Sequence, residues 1–321
     1  MTRRHFLSFI LGVLVVAATT HAVIAVSVAN AIDPLYSHRI FDVHKWPGDS
    51  GQRLRLSGTY LRERISRLTP PVTVFAGSSV THGYPWTQRQ TFAYQFGALR
   101  GAPTVNAGIL ALDWSGVNDW IVCSAIRNAI HVETLVLEVP VVNTVSHLVS
   151  LDRAGHPMPT LSDCGDSAPD PSYAALAASR PLGLGWAVFL WEEEAYSKVD
   201  SVMRIAPVPA GYFTSERDFA PVAKTFETQI AEVVRRAAGV ATRVYVFPSP
   251  VFAAGLAQIG EDANAVRQQM RSVVTACRGV AAAGCVDTSA LGERQDYFIN
   301  FTHLNQAGHR ALAAMLHEHI R

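Results

Sequence analysis

The stretch VTVFAGSSVTHGY, residues 72–84, decides the fold prediction. Its first six residues are mostly apolar and rich in β-branched side chains, which predicts a buried strand. The strand ends at Gly77, and two serines, Ser78 and Ser79, follow at once. This ending predicts either an ordinary turn of small residues or a turn that presents a serine nucleophile. A serine hydroxyl needs a base before it reacts, so the rest of the chain has to distinguish the two.

Downstream of this stretch, short apolar runs alternate with helical patterns. Further strands are predicted at residues 104–109, 134–140, 243–250 and 285–289, and helices at 91–101, 114–130, 225–239, 262–279 and 304–320. Short strands that alternate with longer helices predict an α/β fold, a three-layer α/β/α sandwich around a parallel sheet of about five strands. Residues 144–215 break this alternation and are predicted to be an insertion that contains a helix at 185–205.

The N-terminus has the pattern of a membrane segment. Arg3 and Arg4 precede a run without Asp, Glu, Lys or Arg that lasts until Asp33. Residues 6–28 are long enough, at roughly 35 Å as a helix, to cross a bilayer. The pattern predicts one transmembrane helix with its arginines in the cytoplasm.

A cleaved signal peptide is the alternative, because residues 29–31, Ala-Asn-Ala, form an acceptable cleavage site. Either interpretation places the body of the protein outside the cytoplasm. With a transmembrane helix it is anchored to the inner membrane and faces the periplasm, and with a cleaved signal peptide it is secreted. The predicted organisation is a membrane anchor or signal segment at 1–31, a membrane-proximal linker or helix at 32–70, and one domain at 71–321.

Composition excludes several function classes. Hydrophobic residues make up 49% of the 321 residues, enough for a sizeable core. Lys and Arg number 27 against 26 Asp and Glu, so the charge gives no reason to expect a nucleic-acid partner. The four cysteines have no zinc-site spacing and are either disulfide-bonded or buried thiols; Cys277 and Cys285 are close enough to close a short loop.

Polar and small residues follow the predicted strands. Ser79 follows the first strand, Asn106 and Gly108 end the second, and Asn143 follows the third. His303 precedes the last helix. Ligands of parallel α/β sheets bind beyond the carboxyl ends of the strands, so these residues are expected to converge at one edge.

The residues around these strand ends resemble the motifs of the SGNH hydrolase, or GDSL esterase, superfamily, over residues 72–321 apart from the insertion. Gly77-Ser78-Ser79-Val80 resembles the Gly-Asp-Ser-Leu block, with Ser79 at the nucleophile and Ser78 in place of the acid. VNAGI supplies the glycine of the second block as Gly108.

The third and last blocks resemble the family less closely. PVVN supplies Asn143, with Val141 where the family has glycine. NFTHLNQAGHRALA supplies His303, with Asn300 where the family has aspartate.

The resemblance implies a fold of the SGNH, flavodoxin-like type and a role for each matching residue. Ser79 would be the nucleophile and His303 its general base. The backbone N–H groups of Ser79 and Gly108 and the side-chain amide of Asn143 would form the oxyanion hole. We expect glycine at position 108 because a side chain there would crowd the substrate. No metal or cofactor is implied.

Asn300 is the main departure from the family pattern, because asparagine accepts a hydrogen bond but carries no charge. Three alternatives follow. A Ser–His dyad is oriented by Asn300 or a backbone carbonyl; or another carboxylate, Asp296 or Asp287, takes the third place; or the domain is a weak enzyme or a binding relic.

The sequence therefore predicts a serine-dependent ester hydrolase or O-acyltransferase, with O-acetyl groups of an envelope or extracellular glycan as the expected substrate. The alternatives are an inactive glycan-binding or scaffold module and a lipase or thioesterase. Expected partners are an ester-bearing glycan or small acyl ester, the membrane through the N-terminal helix, and a membrane complex. Tyr84 and Trp86 either line the substrate mouth or pack in the core.

Overall fold

The computed structural model describes most of the predicted domain and the N-terminal helix. The predicted helix at 185–205, most of the insertion and nearly all of the predicted linker lie outside the described residues. The described residues are 3–30, 65, 68–84, 86, 88–109, 112–161, 163–164 and 212–320.

Five parallel strands form one sheet in the order β2-β1-β3-β4-β5. Val74 in the central strand pairs with Val105 on one side and Leu135 on the other. The predicted parallel sheet is therefore confirmed. The strands are β1 (Thr73–Gly77), β2 (Thr104–Gly108), β3 (Val132–Val139), β4 (Ala241–Pro248) and β5 (Ala283–Cys285).

Helices flank the sheet in two groups, which gives an α/β sandwich. One group pairs α3 with α11, and the other joins α6, α8 and α10. The helices are α1 (Arg3–Asn30), α2 (Ser79–His82), α3 (Phe92–Arg100), α4 (Trp114–Val117), α5 (Ser124–Arg127), α6 (Val141–Arg153), α7 (Glu216–Phe219), α8 (Ala223–Ala237), α9 (Ala253–Leu256), α10 (Ala263–Arg278) and α11 (Gln306–His319).

The central strands are buried along nearly their whole length. Every residue of β1 is buried, and in β3 Glu133 alone is partly exposed. Continuous burial is expected of parallel strands that helices cover on both faces. The run in β3 includes a charged residue, Glu138, which is fully buried and lies one residue before the strand ends.

Three segments differ most from the sequence prediction. The strand expected at 285–289 runs from Ala283 to Cys285 instead. The helix expected at 114–130 is interrupted by a π-helical turn at Asn118–Cys123. Helix α6 runs to Arg153, so the first ten residues of the predicted insertion continue a regular helix.

All four cysteines are paired, Cys123 with Cys164 and Cys277 with Cys285. The disulfide alternative is therefore the one that the structure contains. The first bond ties the π-helical turn to the start of the insertion, and the second links the end of α10 to β5.

The N-terminal helix α1 spans 28 residues, and its side chains from Phe9 to Val16 are largely exposed. Within the part of the chain that the structure describes, no helix combines the length and apolar character needed to span a bilayer. The predicted membrane anchor is not confirmed and stays a prediction.

Candidate active site

A small cavity of about 40 Å³ lies where β1, β3 and β4 end, at the carboxyl edge of the sheet. Three predicted site residues, Ser79, Asn143 and His303, share its wall although they are far apart in sequence. Gly108 is not part of that wall. The lining residues are Ser78, Ser79, Val80, Pro140, Val142, Asn143, Tyr212, Ser249, Pro250, Val251, Thr302 and His303.

The predicted nucleophile begins a one-turn helix directly after β1. Ser79 is the first residue of α2, and Ser78 is its N-cap. Gly83 closes the turn with φ 80°, in the left-handed region that favours glycine, and donates its N–H to the carbonyl of Ser79. The strand–turn–helix geometry predicted for VTVFAGSSVTHGY is present.

The two serines of this turn have different environments. Ser79 is partly exposed, and neither its hydroxyl nor its N–H bonds to another described residue. Ser78 is 3% exposed, and its hydroxyl donates to Oε1 of Glu138 at 2.6 Å. Ser79 is thus the serine that is free to react.

The predicted base is held by its own loop. Nδ1 of His303 lies 3.0 Å from Oδ1 of Asn300, and the same oxygen accepts the N–H groups of Thr302 and His303 at 3.0 and 2.9 Å. Because two backbone donors fix the orientation of the Asn300 amide, its oxygen faces the ring. This hydrogen-bond network assigns the proton of the neutral ring to Nδ1 and leaves Nε2 as the acceptor.

The loop itself is tied at its base. Ile299 donates its N–H to the carbonyl of His303 at 3.0 Å, and Phe298 forms an antiparallel bridge with Leu304. Helix α11 follows, capped by Asn305, whose Oδ1 accepts the N–H of Gly308 at 2.9 Å. His303 is therefore fixed two residues before the N-cap of helix α11.

Burial of the His303 ring lowers its pKa from 6.5 to about 4. The cause is desolvation, which penalises the charged imidazolium. The ring is neutral near pH 7 and able to accept a proton. Tyr84 packs edge-on against it with ring centroids 5.5 Å apart.

The two carboxylates considered as alternatives to Asn300 do not take its place. Asp296 is exposed and pairs with Arg294 at 2.8 Å. Asp287 is exposed and accepts the N–H of Ser289. Neither lines the cavity, and the described groups at Nδ1 of His303 are both uncharged: the amide oxygen of Asn300 and, at 3.2 Å, the hydroxyl of Thr302.

The three predicted oxyanion donors are not equally available. The N–H of Ser79 bonds to no described residue and lies at the cavity, and Asn143 also lines it. One amide proton of Asn143 goes to the carbonyl of Leu112 at 3.1 Å, which leaves its second proton for a ligand. The N–H of Gly108 donates to Oδ1 of Asn106 at 3.0 Å, so its role in the oxyanion hole stays a prediction.

The reason for glycine at position 108 differs from the expected one. A Cβ there would overlap the backbone N of His82 and lie 2.6 Å from the carbonyl carbon of Thr81. The position is crowded by helix α2 rather than by space reserved for a substrate. Of the two aromatic residues considered for the mouth, Trp86 is fully buried and donates Nε1–H to the carbonyl of Leu304 at 2.7 Å, whereas Tyr84 is 37% exposed.

Sequence reasoning missed two polar residues next to the cavity. Glu138 accepts hydrogen bonds from both sides of the nucleophile turn, and the hydroxyl of Ser249 donates to it at 2.5 Å. The signal for Glu138 was a single charge inside the apolar strand TLVLEVP, since a buried carboxylate requires partners.

No protein-family model matches the chain, and no curated protein matches it. Several solved structures are similar. A lipolytic protein of the G-D-S-L family from Veillonella parvula is 11% identical, with a TM-score of 0.42 over 78% of this chain and 97% of that one. A lipase/acylhydrolase from Enterococcus faecalis is also 11% identical, with a TM-score of 0.42 over 78% and 95%. An acetylxylan esterase from Geobacillus stearothermophilus is 12% identical, with a TM-score of 0.43 over 78% and 94%.

Similar structures thus include G-D-S-L proteins, the group that the sequence motifs resemble. At identities and TM-scores this low, the likenesses carry no argument about activity, which rests on the geometry of Ser79, Asn300 and His303.

Proposed function

We propose that the protein is a serine-dependent ester hydrolase or O-acyltransferase that works through an acyl-serine intermediate. One observation carries the proposal. The free hydroxyl of Ser79 and the ring of His303, whose Nδ1 is held by Asn300, share one small cavity at the carboxyl edge of the parallel sheet.

The proposed first half-reaction acylates the serine. Oγ of Ser79 attacks the ester carbonyl carbon while Nε2 of His303 takes the hydroxyl proton. The N–H of Ser79 and the amide of Asn143 donate to the oxyanion, with Gly108 as the third predicted donor. The alcohol leaves with the proton from Nε2, and the acyl group stays on Ser79.

The second half-reaction differs between the two activities only in its acceptor. Water or a sugar hydroxyl attacks the acyl-serine and gives its proton to Nε2, and Ser79 leaves with that proton. The hydroxyl of Ser79 and the ring of His303 form no hydrogen bond with each other in the described structure, as is common before substrate binds.

The size of the cavity favours a short acyl group. A buried water needs roughly 10–15 Å³ of such volume, so about 40 Å³ corresponds to the space of a few waters or an acetyl group. Pro140, Val142 and Val251 give it apolar walls. We therefore favour O-acetyl esters over the lipase or thioesterase alternative, and a glycan as the bearer of the ester rests on the family resemblance.

We also propose that the domain works outside the cytoplasm. Two disulfides support this, because such bonds persist in oxidising compartments. The membrane as a partner, an inner-membrane anchor and a membrane-complex partner rest on the N-terminal sequence alone.

A second candidate function is an inactive module that binds glycans. The uncharged Asn300 beside a histidine of low pKa favours it, since no carboxylate among the described residues bonds to the ring to stabilise the imidazolium.

Covalent labelling separates the candidates. A fluorophosphonate probe is expected to add one phosphonyl group to Ser79, located by peptide mass spectrometry. Ser79→Ala should abolish labelling, whereas Ser289→Ala, a partly exposed serine outside the cavity, should label like the wild type. A wild-type protein that stays unlabelled while a control esterase reacts would favour the inactive module. If the wild type is labelled at Ser79, faster turnover of p-nitrophenyl palmitate than of the acetate ester by untreated enzyme would contradict the short-acyl proposal.

A further inference from the structure

We propose that Glu138 is the positioning residue of the nucleophile turn. Its carboxylate, which comes from β3, holds the backbone on both sides of Ser79, so that the hydroxyl and N–H of Ser79 stay directed to the cavity. The proposal rests on the proposed function of Ser79, and it concerns a residue that none of the resembled motifs includes.

One carboxylate oxygen holds the backbone of the turn. Oε2 of Glu138 accepts the N–H of Ser78 at 3.0 Å and the N–H of Thr81 at 2.7 Å. These two donors flank Ser79, whose own N–H has no bond to a described residue. The first N–H groups of a helix have no partner within the helix. Glu138 therefore fixes the donors on either side and leaves the N–H of Ser79 available for an oxyanion.

The other oxygen joins the turn to a second wall of the cavity. Oε1 accepts the hydroxyl of Ser78 at 2.6 Å and lies 2.5 Å from the hydroxyl of Ser249, which follows β4. Ser249 in turn donates its N–H to the carbonyl of Val139 at 2.9 Å. One side chain thus links the ends of β1, β3 and β4, and both serines line the cavity.

The surroundings of Glu138 leave it little freedom. It is fully buried, and no ion pair with a described Lys, Arg or His accompanies it. A buried carboxylate without a cation is tolerated when hydrogen bonds satisfy it, and four contacts to Ser78, Thr81 and Ser249 do so here.

The absence of a side chain at Gly77 lets the turn pack directly against the carboxylate. A Cβ at this position would overlap both Cβ and Oε2 of Glu138 and lie 2.5 Å from Oγ1 of Thr81. The strand ends in glycine because the Glu138 side chain passes directly against its backbone. A change in the length of that side chain should therefore move the turn.

The test is Glu138→Asp, which keeps the carboxylate but withdraws it by one methylene. The matched control is Glu133→Asp, in the same strand, where the carboxylate pairs with Arg243 near the surface. A displacement of about 1 Å can slow a reaction roughly 10²-fold. We expect Glu138→Asp to lower kcat for p-nitrophenyl acetate and the rate of fluorophosphonate labelling by about that factor, with KM nearly unchanged. Glu133→Asp should match the wild type.

Glu138→Gln tests whether placement or charge matters. Its amide oxygen can still accept the two backbone N–H groups, and its amide nitrogen can donate to the hydroxyls of Ser78 and Ser249. We expect Glu138→Gln to lose less activity than Glu138→Asp. A folded Glu138→Asp protein that labels as fast as the wild type would overturn the proposal. If Glu138→Asp does not fold, Ser249→Ala replaces it, with an expected three- to ten-fold slowing by the same argument from displacement; an unchanged labelling rate would overturn the proposal equally.

Failure of the proposed function is recognisable separately. If the wild type is not labelled at Ser79, the esterase proposal fails, and amide hydrogen exchange still tests Glu138. The N–H groups of Ser78 and Thr81 should then exchange faster in Glu138→Asp, or in Ser249→Ala, than in the wild type, while those in the middle of β3 should not change. Unchanged exchange at Ser78 and Thr81 would overturn the positioning role whatever the chemistry of Ser79.

Discussion

Nδ1 of His303 lies 3.0 Å from Oδ1 of Asn300, an uncharged oxygen that also holds two backbone N–H groups of the same loop. The amide fixes the ring and its tautomer as a carboxylate would. It gives no charge to offset the imidazolium that forms during attack. Orientation and charge stabilisation, which one aspartate usually combines, are separated here, and Asn300 brings no charge to oppose the desolvation that lowers the pKa of His303 to about 4.

Asn300→Asp is expected to activate the enzyme. A carboxylate beside Nδ1 favours the charged ring and raises the pKa of His303 from about 4. The acid limb of the kcat/KM profile should move to higher pH, and kcat at pH 8 should rise about 10- to 100-fold, within the roughly 10⁴-fold effect known for the reverse change in a serine protease. The profile with p-nitrophenyl acetate from pH 4 to 9 measures both.

Asn264→Asp is the matched control, because Asn264 lies exposed in the first turn of α10, away from the cavity. It should leave the profile unchanged. An Asn300→Asp variant with the wild-type acid limb would show that the charge does not reach His303.

The stability of the domain should fall as the pH falls from about 6.5 towards 4. The unfolded chain binds a proton at His303 near pH 6.5, whereas the folded state resists it until about pH 4, because burial lowers the pKa. The contribution of His303 is therefore fully present above pH 6.5 and is lost on acidification. Its size at pH 4.5 is on the order of 2–3 kcal/mol, at about 1.4 kcal/mol per pKa unit.

Urea unfolding of the wild type and His303→Gln at pH 7 and pH 4.5 isolates this contribution. The free energy of unfolding of the wild type should drop by about 2–3 kcal/mol more than that of His303→Gln, which has no proton to bind. Equal drops in both proteins would contradict a desolvated ring that stays neutral in the folded state.

The sheet and three of the site residues were predictable from sequence for a physical reason. Parallel strands bring their carboxyl ends to one edge, so residues that follow β1 and β3, such as Ser79 and Asn143, meet there however far apart they lie in the chain. His303 was predicted from the segment before the last helix. The positions of the strands, within a few residues, followed from runs of apolar, often β-branched residues.

Glu138 and its partners were not predictable in the same way. Its contact with the turn depends on the register of β1 against β3, in which Ala76 pairs with Leu137, and on the loop that brings Ser249 alongside. Sequence pattern gives the faces and ends of strands but no lateral register. The π-helical turn at Asn118–Cys123 interrupts a segment whose sequence pattern predicts one continuous helix.

Ser79→Ala and Ser78→Ala should have different effects although the residues are adjacent. Ser79→Ala removes the nucleophile and should lower kcat at least about 10³-fold. Ser78→Ala removes one hydrogen bond to Glu138 and should lower kcat about 10-fold or less. Rates with p-nitrophenyl acetate, with circular dichroism as a check on folding, measure both. The reverse order would identify Ser78, activated by Glu138, as the nucleophile.

Gly108→Ala distinguishes two reasons for glycine at this position. If the space were needed for a substrate, the variant would lose activity and keep its stability. The structure instead places a Cβ at position 108 against the backbone of Thr81 and His82, which no side-chain rotation can relieve. We expect Gly108→Ala to cost about 3 kcal/mol, at the upper end of the range for overpacking, and to displace helix α2 and with it Ser79.

Thermal unfolding and kcat, measured on the same samples, distinguish the two reasons for glycine at position 108. A loss of about 3 kcal/mol in a domain of this size lowers Tm by roughly 6–12 °C. Gly155→Ala is the control: its Cβ meets no atom, but its φ of 65° is unfavourable for alanine, so about 1 kcal/mol should be lost with no effect on kcat. A Gly108→Ala protein that is as stable as the wild type but inactive would show that glycine is needed here to leave space for the substrate. It would also support a direct role of position 108 in the oxyanion hole.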